Sequence, residues 1–396
     1  MTTAITIGMI IIYVAIMMGI GVYTARQTRS VSDFVLGGHS VGSWLTAFAY
    51  GTSYFSAVVF IGYAGQFGWT YGVSAAWVGI GNALLGSLLA WIVLGRRTRI
   101  MTQSLGAKTM PEYFEKRWNS KGLKVAAAVI VFIFLIPYTA SVYNGLSRLF
   151  NMAFQIESEG AYKIIIIVMA LLTAIYVILG GYAATAINDF IQGIVMLVGI
   201  AAVVICAIHN RGGMTAALAE VNGKTNTLNS VFGPDPLNLL GVVVLTSLGT
   251  WGLPQMVHKF YAIKSENDIK KGAVISTVFA LIVAGGSYLL GGFDRLFCTL
   301  SADGSDKTVI STLSNGKPDF DAMIPSLLHT ALPDILIGLV VVLVLSASMS
   351  TLSSLVLTSS STLTIDLIKP NMKKCSDKKE MLIMRVLIAV FLVIYV

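Results

Sequence analysis

Charge is what this chain has least of. Asp, Glu, Lys and Arg together make up 12% of its 396 residues, against about 25% in a soluble globular domain. Hydrophobic residues make up 56%, so a water-exposed globule is excluded and a polytopic membrane protein is expected. Cysteine is nearly absent: Cys206, Cys298 and Cys375 are odd in number and far apart, which leaves no disulfide framework and no cysteine metal site. His39, His209, His258 and His329 are scattered, without HExxH or CxxC company, and the paired glycines at 37–38, 180–181, 212–213 and 285–286 lack the GxxxxGK[ST] of a phosphate loop. The turn Asp303-Gly304-Ser305-Asp306 lacks the spacing of a calcium loop. No nucleophile, base and orienting group fall together in the apolar stretches, so an enzyme is not expected. The formal charge is +8, yet the Lys and Arg residues lie in short runs between apolar stretches instead of forming one patch. That distribution argues against a nucleic-acid partner and reads as membrane topology.

Apolar stretches are abundant. About 20 such residues cross a bilayer, and ten candidate spans fall at roughly 5–25, 42–66, 70–95, 123–152, 162–182, 185–208, 237–257, 272–293, 333–365 and 381 to the end. The alternating ten-residue segments of a barrel are missing, so the spans are helices. The first has neither a basic leading segment nor a small-residue cleavage site and is expected to be retained. With the N-terminus outside, 19 of the 27 Lys and Arg residues fall in inner segments, among them Arg96, Arg97, Arg99, Lys259, Lys264, Lys270 and Lys271. This asymmetry predicts an N-out orientation.

Two spans are unlike ordinary membrane helices. The second carries Ala49-Tyr50-Gly51-Thr52-Ser53-Tyr54-Phe55-Ser56-Ala57, and the seventh carries Thr246-Ser247-Leu248-Gly249-Thr250-Trp251-Gly252-Leu253-Pro254. Glycine relaxes the backbone and proline removes a donor, so both spans are candidates for broken helices. Unwound backbone survives at membrane depth only inside protein or along a cavity, and two interrupted spans five apart point to an inverted-repeat transporter. In the ninth span, 12 of the 19 residues from Ser346 to Thr364 are Ser or Thr. At helical spacing Ala347, Ser350, Thr351, Ser354, Thr358 and Ser361 share a stripe. Such a stripe serves either an ion path or close packing through small residues. Of the acidic residues only Asp189 is expected inside a span and not at its edge, about one turn from the inner end of the sixth. It is read either as a functional intramembrane acid or as a helix-starting Asp. A proton-driven carrier calls for a deeper titratable group, whereas sodium needs only carbonyl and hydroxyl oxygens.

The chain resembles the sodium/solute symporter family, with likeness to its pantothenate and proline permease branches. The resemblance is carried by Asp33-Phe34-Val35-Leu36-Gly37-Gly38-His39-Ser40-Val41-Gly42, by Gly180-Gly181-Tyr182 with Asn188-Asp189-Phe190-Ile191-Gln192-Gly193, and by Met349-Ser350-Thr351-Leu352-Ser353-Ser354 with Ile365-Asp366-Leu367. It implies a leucine-transporter-like all-α fold of two inverted five-helix repeats behind one extra N-terminal helix, here with the last core helix missing. The segments would be 1–30, 31–209 and an incomplete 210–396. It also implies a sodium site made by the carbonyls of Thr52, Phe55 and Ala347 and the hydroxyls of Ser350 and Thr351, with Asp189 on the ion's inward path. Ser53, Tyr54, Tyr138, Thr250 and Trp251 are the expected substrate residues. Gly252-Leu253-Pro254-Gln255-Met256-Val257 looks most like the pantothenate branch, and Tyr54 stands where the proline branch has aspartate. The expected activity is sodium-coupled import of a small, carboxylate-bearing solute (pantothenate, a monocarboxylate or an amino acid such as proline) across the plasma membrane by alternating access. The rival expectation is a membrane sensor module of a signalling protein.

Overall fold

In lipid every backbone N–H and C=O must bond within its own segment, so apolar stretches of this length fold as helices. The computed structural model describes residues 2–154, 159–224, 226–300, 309–310, 313, 316–372 and 376–395. Cys375, Asp303 and Asp306 lie outside the described residues. Among the described residues six helices are long and apolar enough to cross a membrane: Ala4–Ala25, Val58–Leu105, Lys121–Phe150, Lys163–Asn210, Glu266–Gly291 and Ile335–Asn371. Pro236–Gly252 with Pro254–Ala262, bent by 55°, forms a seventh.

Two of the six run to 48 residues, more than twice what one crossing needs. The first of these holds the C-terminal half of the second span and all of the third, with a turn at Gly72 (φ 63°). The second holds the fifth and sixth spans, joined at Gly181 (φ 56°, ψ −142°). Only glycine takes that conformation without penalty, and a Cβ at Gly181 would run into the Phe34 carbonyl. The tenth span is the helix Asp377–Tyr395. Among the described residues the only strand pairing within a sheet is the parallel match of Thr299–Leu300 with Val309–Ile310.

The ninth span forms the axis of the bundle. Its helix Asp334–Thr362 packs against Glu159–Asn210, Lys121–Phe154, Thr2–Ala25 and Ser43–Tyr54, and Val340 to Val344, Ala347, Ser350 and Thr351 are all buried. The helix Glu266–Gly291 crosses the second and third spans where side chains are missing. A Cβ at Gly68 would overlap the Gly291 carbonyl, one at Gly291 would overlap the Ala64 carbonyl, and one at Gly79 would overlap the Gly285 backbone.

Two boundaries differ from expectation. The C-terminal half of the seventh span continues to Ala262, so Lys259, expected in an inner loop, is a residue of the span. The ninth span extends to Asn371, which draws Asp366 inside, where its Oδ2 accepts from Thr109 Oγ1 at 2.7 Å.

Beyond the helix Glu266–Gly291 lies Asp294, completely buried at the start of the short helix Asp294–Phe297. Neither carboxyl oxygen has a hydrogen-bond partner among the described residues. Burial holds this carboxyl well above the usual carboxylate range. The folded chain therefore binds this proton more tightly than the unfolded chain, and stability falls as pH rises above the unfolded value of ~4 toward the folded one. Asp294→Asn should raise the melting temperature at neutral pH and flatten its decline from acid to neutral pH. Superimposable melting profiles for the two chains would show that the carboxyl is paired in the folded state.

Candidate functional site

The second span is helical over Ser43–Tyr54 and then breaks: Phe55 is extended (φ −92°, ψ 109°), and helix resumes at Ala57. At the break the Phe55 amide still reaches Gly51 O at 3.0 Å. The Thr52 carbonyl instead accepts the Ser350 hydroxyl of the ninth span at 3.3 Å. Ser350 Oγ also lies 3.1 Å from Ala347 O, and Thr351 Oγ1 donates to the same carbonyl at 3.0 Å. Four of the five oxygens implied as sodium ligands are thus joined by hydrogen bonds, and all five residues are buried. A hydroxyl rotates freely about its C–O bond, so Ser350 and Thr351 can turn their lone pairs toward a hard cation without moving backbone.

The other hydroxyls of the ninth span behave differently. Ser346, Ser353, Ser360 and Ser361 each donate to a carbonyl one turn back, at Val342, Ser350, Leu357 and Thr358. Those bonds satisfy a polar side chain in apolar surroundings and let helices approach closely. Along this span Ser350 and Ser354 reach across to other helices and Thr351 joins Ser350 at the Ala347 carbonyl, whereas these four bond within their own helix.

Below the oxygen cluster, Ser354 Oγ lies 3.1 Å from Ser53 Oγ and accepts from Lys259 Nζ at 3.0 Å. Lys259 Nζ also faces Asp189 Oδ2 at 3.4 Å and stands 5.3 Å from the Tyr182 ring. The side chains of Lys259 and Asp189 are 2% and 0% exposed, so neither charge is screened by water. Asp189 sits about two turns beyond the Gly181 kink, deep in the protein, and is not the helix-starting residue that one sequence reading allowed. Farther along the same helix, Gln192 Nε2 donates to Tyr13 Oη at 2.9 Å.

Beside the break in the second span is a cavity of about 320 Å³, within the usual size range of a small-molecule site. It is bounded by both broken spans and by the fourth. Tyr54, Ser56, Tyr63, Phe67, Asn82, Tyr138, Ser141, Thr246, Thr250 and Tyr288 are among its lining residues, and no Asp, Glu, Lys or Arg lines it. Tyr54 Oη donates to Thr246 O at 3.0 Å, tying the second span to the seventh. Asn82 Oδ1 accepts from Thr246 Oγ1 at 3.0 Å and Ser247 Oγ at 3.1 Å, which leaves its amide hydrogens as donors.

Of the expected substrate residues, the structure gathers Tyr54, Tyr138 and Thr250 at this cavity. Ser53 and Trp251 are placed elsewhere. Successive helical residues point about 100° apart, so Ser53 faces the ninth span while Tyr54 faces the cavity. The Trp251 indole donates to Leu85 O at 3.0 Å and is turned toward the third span. Sequence reasoning passed over Asn82, Tyr288 and Lys259. For Asn82 a signal existed: a lone amide inside the apolar run Ile80-Gly81-Asn82-Ala83-Leu84-Leu85 is costly unless it has a partner or a task.

The family model described as Sodium:solute symporter family matches residues 34–396. The Sodium/proline symporter of Staphylococcus aureus, in strains JH9 and JH1, is 31% identical over 367 residues, covering 91% of this chain and 68% of the relative. A solved Na+-coupled sialic acid symporter, substrate-bound and outward-open, superposes with a TM-score of 0.79 at 17% identity over 99% of this chain and 80% of its own. A nucleobase-cation-symport-1 family transporter, closed with bromovinylhydantoin bound, gives 0.56 at 13% identity over 90% and 73%. These likenesses fix the leucine-transporter-like fold.

Removing one of the oxygens implied as ligands should weaken sodium binding by about tenfold or more, since a hydrogen bond or ligand contact to a charge is worth ~1.5–3 kcal/mol. Ser350→Ala and Thr351→Ala should each raise the sodium concentration for half-maximal uptake by that factor at unchanged membrane abundance. An unaltered sodium requirement in both variants would move the ion elsewhere.

Proposed function

The chain belongs to the sodium:solute symporter family and couples transport to sodium; from that premise we propose that it imports a small carboxylate-bearing solute across the plasma membrane, N-terminus outside, by alternating access. The observation that carries this reading is the uncharged cavity between the two helix breaks, beside the buried oxygen cluster. Hydroxyls, the Asn82 amide and backbone amides freed at the breaks suit a carboxylate, and a sodium ion at the cluster offsets its charge. A free amino acid brings an ammonium as well, for which no carboxylate lines the cavity. Pantothenate-like or monocarboxylate solutes are therefore favoured over proline.

In the proposed cycle, the carbonyls of Thr52, Phe55 and Ala347 and the hydroxyls of Ser350 and Thr351 hold sodium between the second and ninth spans. That contact fixes the break at Phe55 and sets Tyr54 at the cavity wall, alongside Tyr138 and Thr250. Ser53 supports this wall from the ninth-span side, and Trp251 anchors the seventh span to the third. Solute binding then closes the outer side, and sodium leaves inward past Asp189. The coupling is a difference in affinity of each ligand for the two states. We assign 1–30 to a leading helix, 31–209 to the first repeat and 210–396 to the second, with the breaks at Phe55 and Leu253 as counterparts.

Uptake of radiolabelled pantothenate, short monocarboxylates and proline into vesicles tests this directly. Accumulation of a carboxylate solute is expected under an inward sodium gradient and not under an equal potassium gradient; accumulation indifferent to the cation would refute the coupling. Asn82→Ala should raise KM for the solute about tenfold, the worth of a hydrogen bond to a charged group. Its half-saturating sodium should stay unchanged, whereas the opposite pattern would place Asn82 at the ion.

A further inference from the structure

Lys259 is a buried cation that the proposed cycle does not use. Its ammonium has a carboxylate oxygen, Asp189 Oδ2, at 3.4 Å and a hydroxyl, Ser354 Oγ, at 3.0 Å, and Ser53 Oγ stands behind that hydroxyl at 3.1 Å. Asp189 Oδ1, wholly buried, has no partner among the described residues. A carboxylate with a neighbouring hydroxyl is the oxygen set that binds a hard cation as readily as an ammonium. The set also lies directly below the first oxygen cluster. Ser354 follows Thr351 by three residues and Ser350 by four, one helical turn or ~5–6 Å, and Ser53 follows Thr52. Two cation positions are therefore stacked along the ninth span.

We propose that Asp189, Ser354 and Ser53 form a second cation site, filled by the ammonium of Lys259 on its tether, so that this chain binds a single free sodium. The inference rests on the sodium site read above. Lys259 is fixed to the inner half of the seventh span, whose helix Pro254–Ala262 is almost entirely buried, so its charge cannot leave with the transported ion. Asp189 is thereby neutralised throughout by a group the protein owns. Two free sodium ions one turn apart with a lysine beside them would place three positive charges around one carboxylate in a water-excluded interior.

Replacing the ammonium by an apolar side chain of similar length should open the lower position to solution. Equilibrium binding of radiolabelled sodium to the purified chain at neutral pH reads this as a count. The unaltered chain should bind one ion and Lys259→Met two, with Lys259→Arg remaining at one and the pair Lys259→Met with Asp189→Asn returning to one. Two ions on the unaltered chain, or one on Lys259→Met, would overturn the proposal. Ser350→Ala with Thr351→Ala should abolish binding in the otherwise unaltered chain and leave one ion on Lys259→Met. Retention of the ion by the otherwise unaltered chain would instead fail the upper site. Thermal melting in whole membranes covers the case of an unstable variant, because a ligand that binds only the folded state raises its stability. Sodium, relative to potassium, should raise the melting temperature of Lys259→Met more steeply than that of the unaltered chain, and a variant lost from the membrane whichever cation is present overturns the proposal.

Discussion

A peptide group inside a bilayer has no water to turn to, and the architecture at the centre of this protein follows from where the chain breaks that rule. At Phe55 the second span leaves its helix at membrane depth, and the Thr52 carbonyl is taken up by a hydroxyl of the ninth span. At Leu253 the seventh span turns extended as well (φ −69°, ψ 122°). One residue class answers the first break, the Ser and Thr of a helix buried on every side. The breaks are tolerated because they border a shared cavity inside the protein, their spans joined by the Tyr54 to Thr246 hydrogen bond. Remove the ninth span and the unwound backbone would be exposed to lipid.

Much of this was legible in the sequence. Glycine and proline in the second and seventh spans mark the breaks because their effect on the backbone is local. The ninth span stands out because twelve of the nineteen residues from Ser346 to Thr364 are Ser or Thr. The choice between Ser53 and Tyr54 as cavity residue was not legible, since it depends on how the helix Ser43–Tyr54 is rotated about its axis, which tertiary packing sets. Trp251 was misplaced for the same reason.

Lys259 was hidden by a boundary. A lysine near the end of an apolar run reads as an interfacial anchor, and the expected seventh span ended two residues before it. The helix in fact continues to Ala262, and what keeps a charge inside is its partner Asp189, seventy residues away. No local pattern reports a contact of that range. Asp294 is the reverse case: an acid in a segment that reads as a polar outer loop proves wholly buried.

The crossing of Glu266–Gly291 with the second and third spans has a mechanical consequence. At Gly68 against Gly291 and Gly79 against Gly285 the backbones meet without intervening side chains. Sliding either helix by one residue would drive Phe67 or Trp69 into a gap that admits no Cβ. The eighth span is therefore keyed in register against the end of the second and the start of the third, and the same helix closes on Ser43–Tyr54 as well, where a Cβ at Gly51 would run into the Phe279 ring.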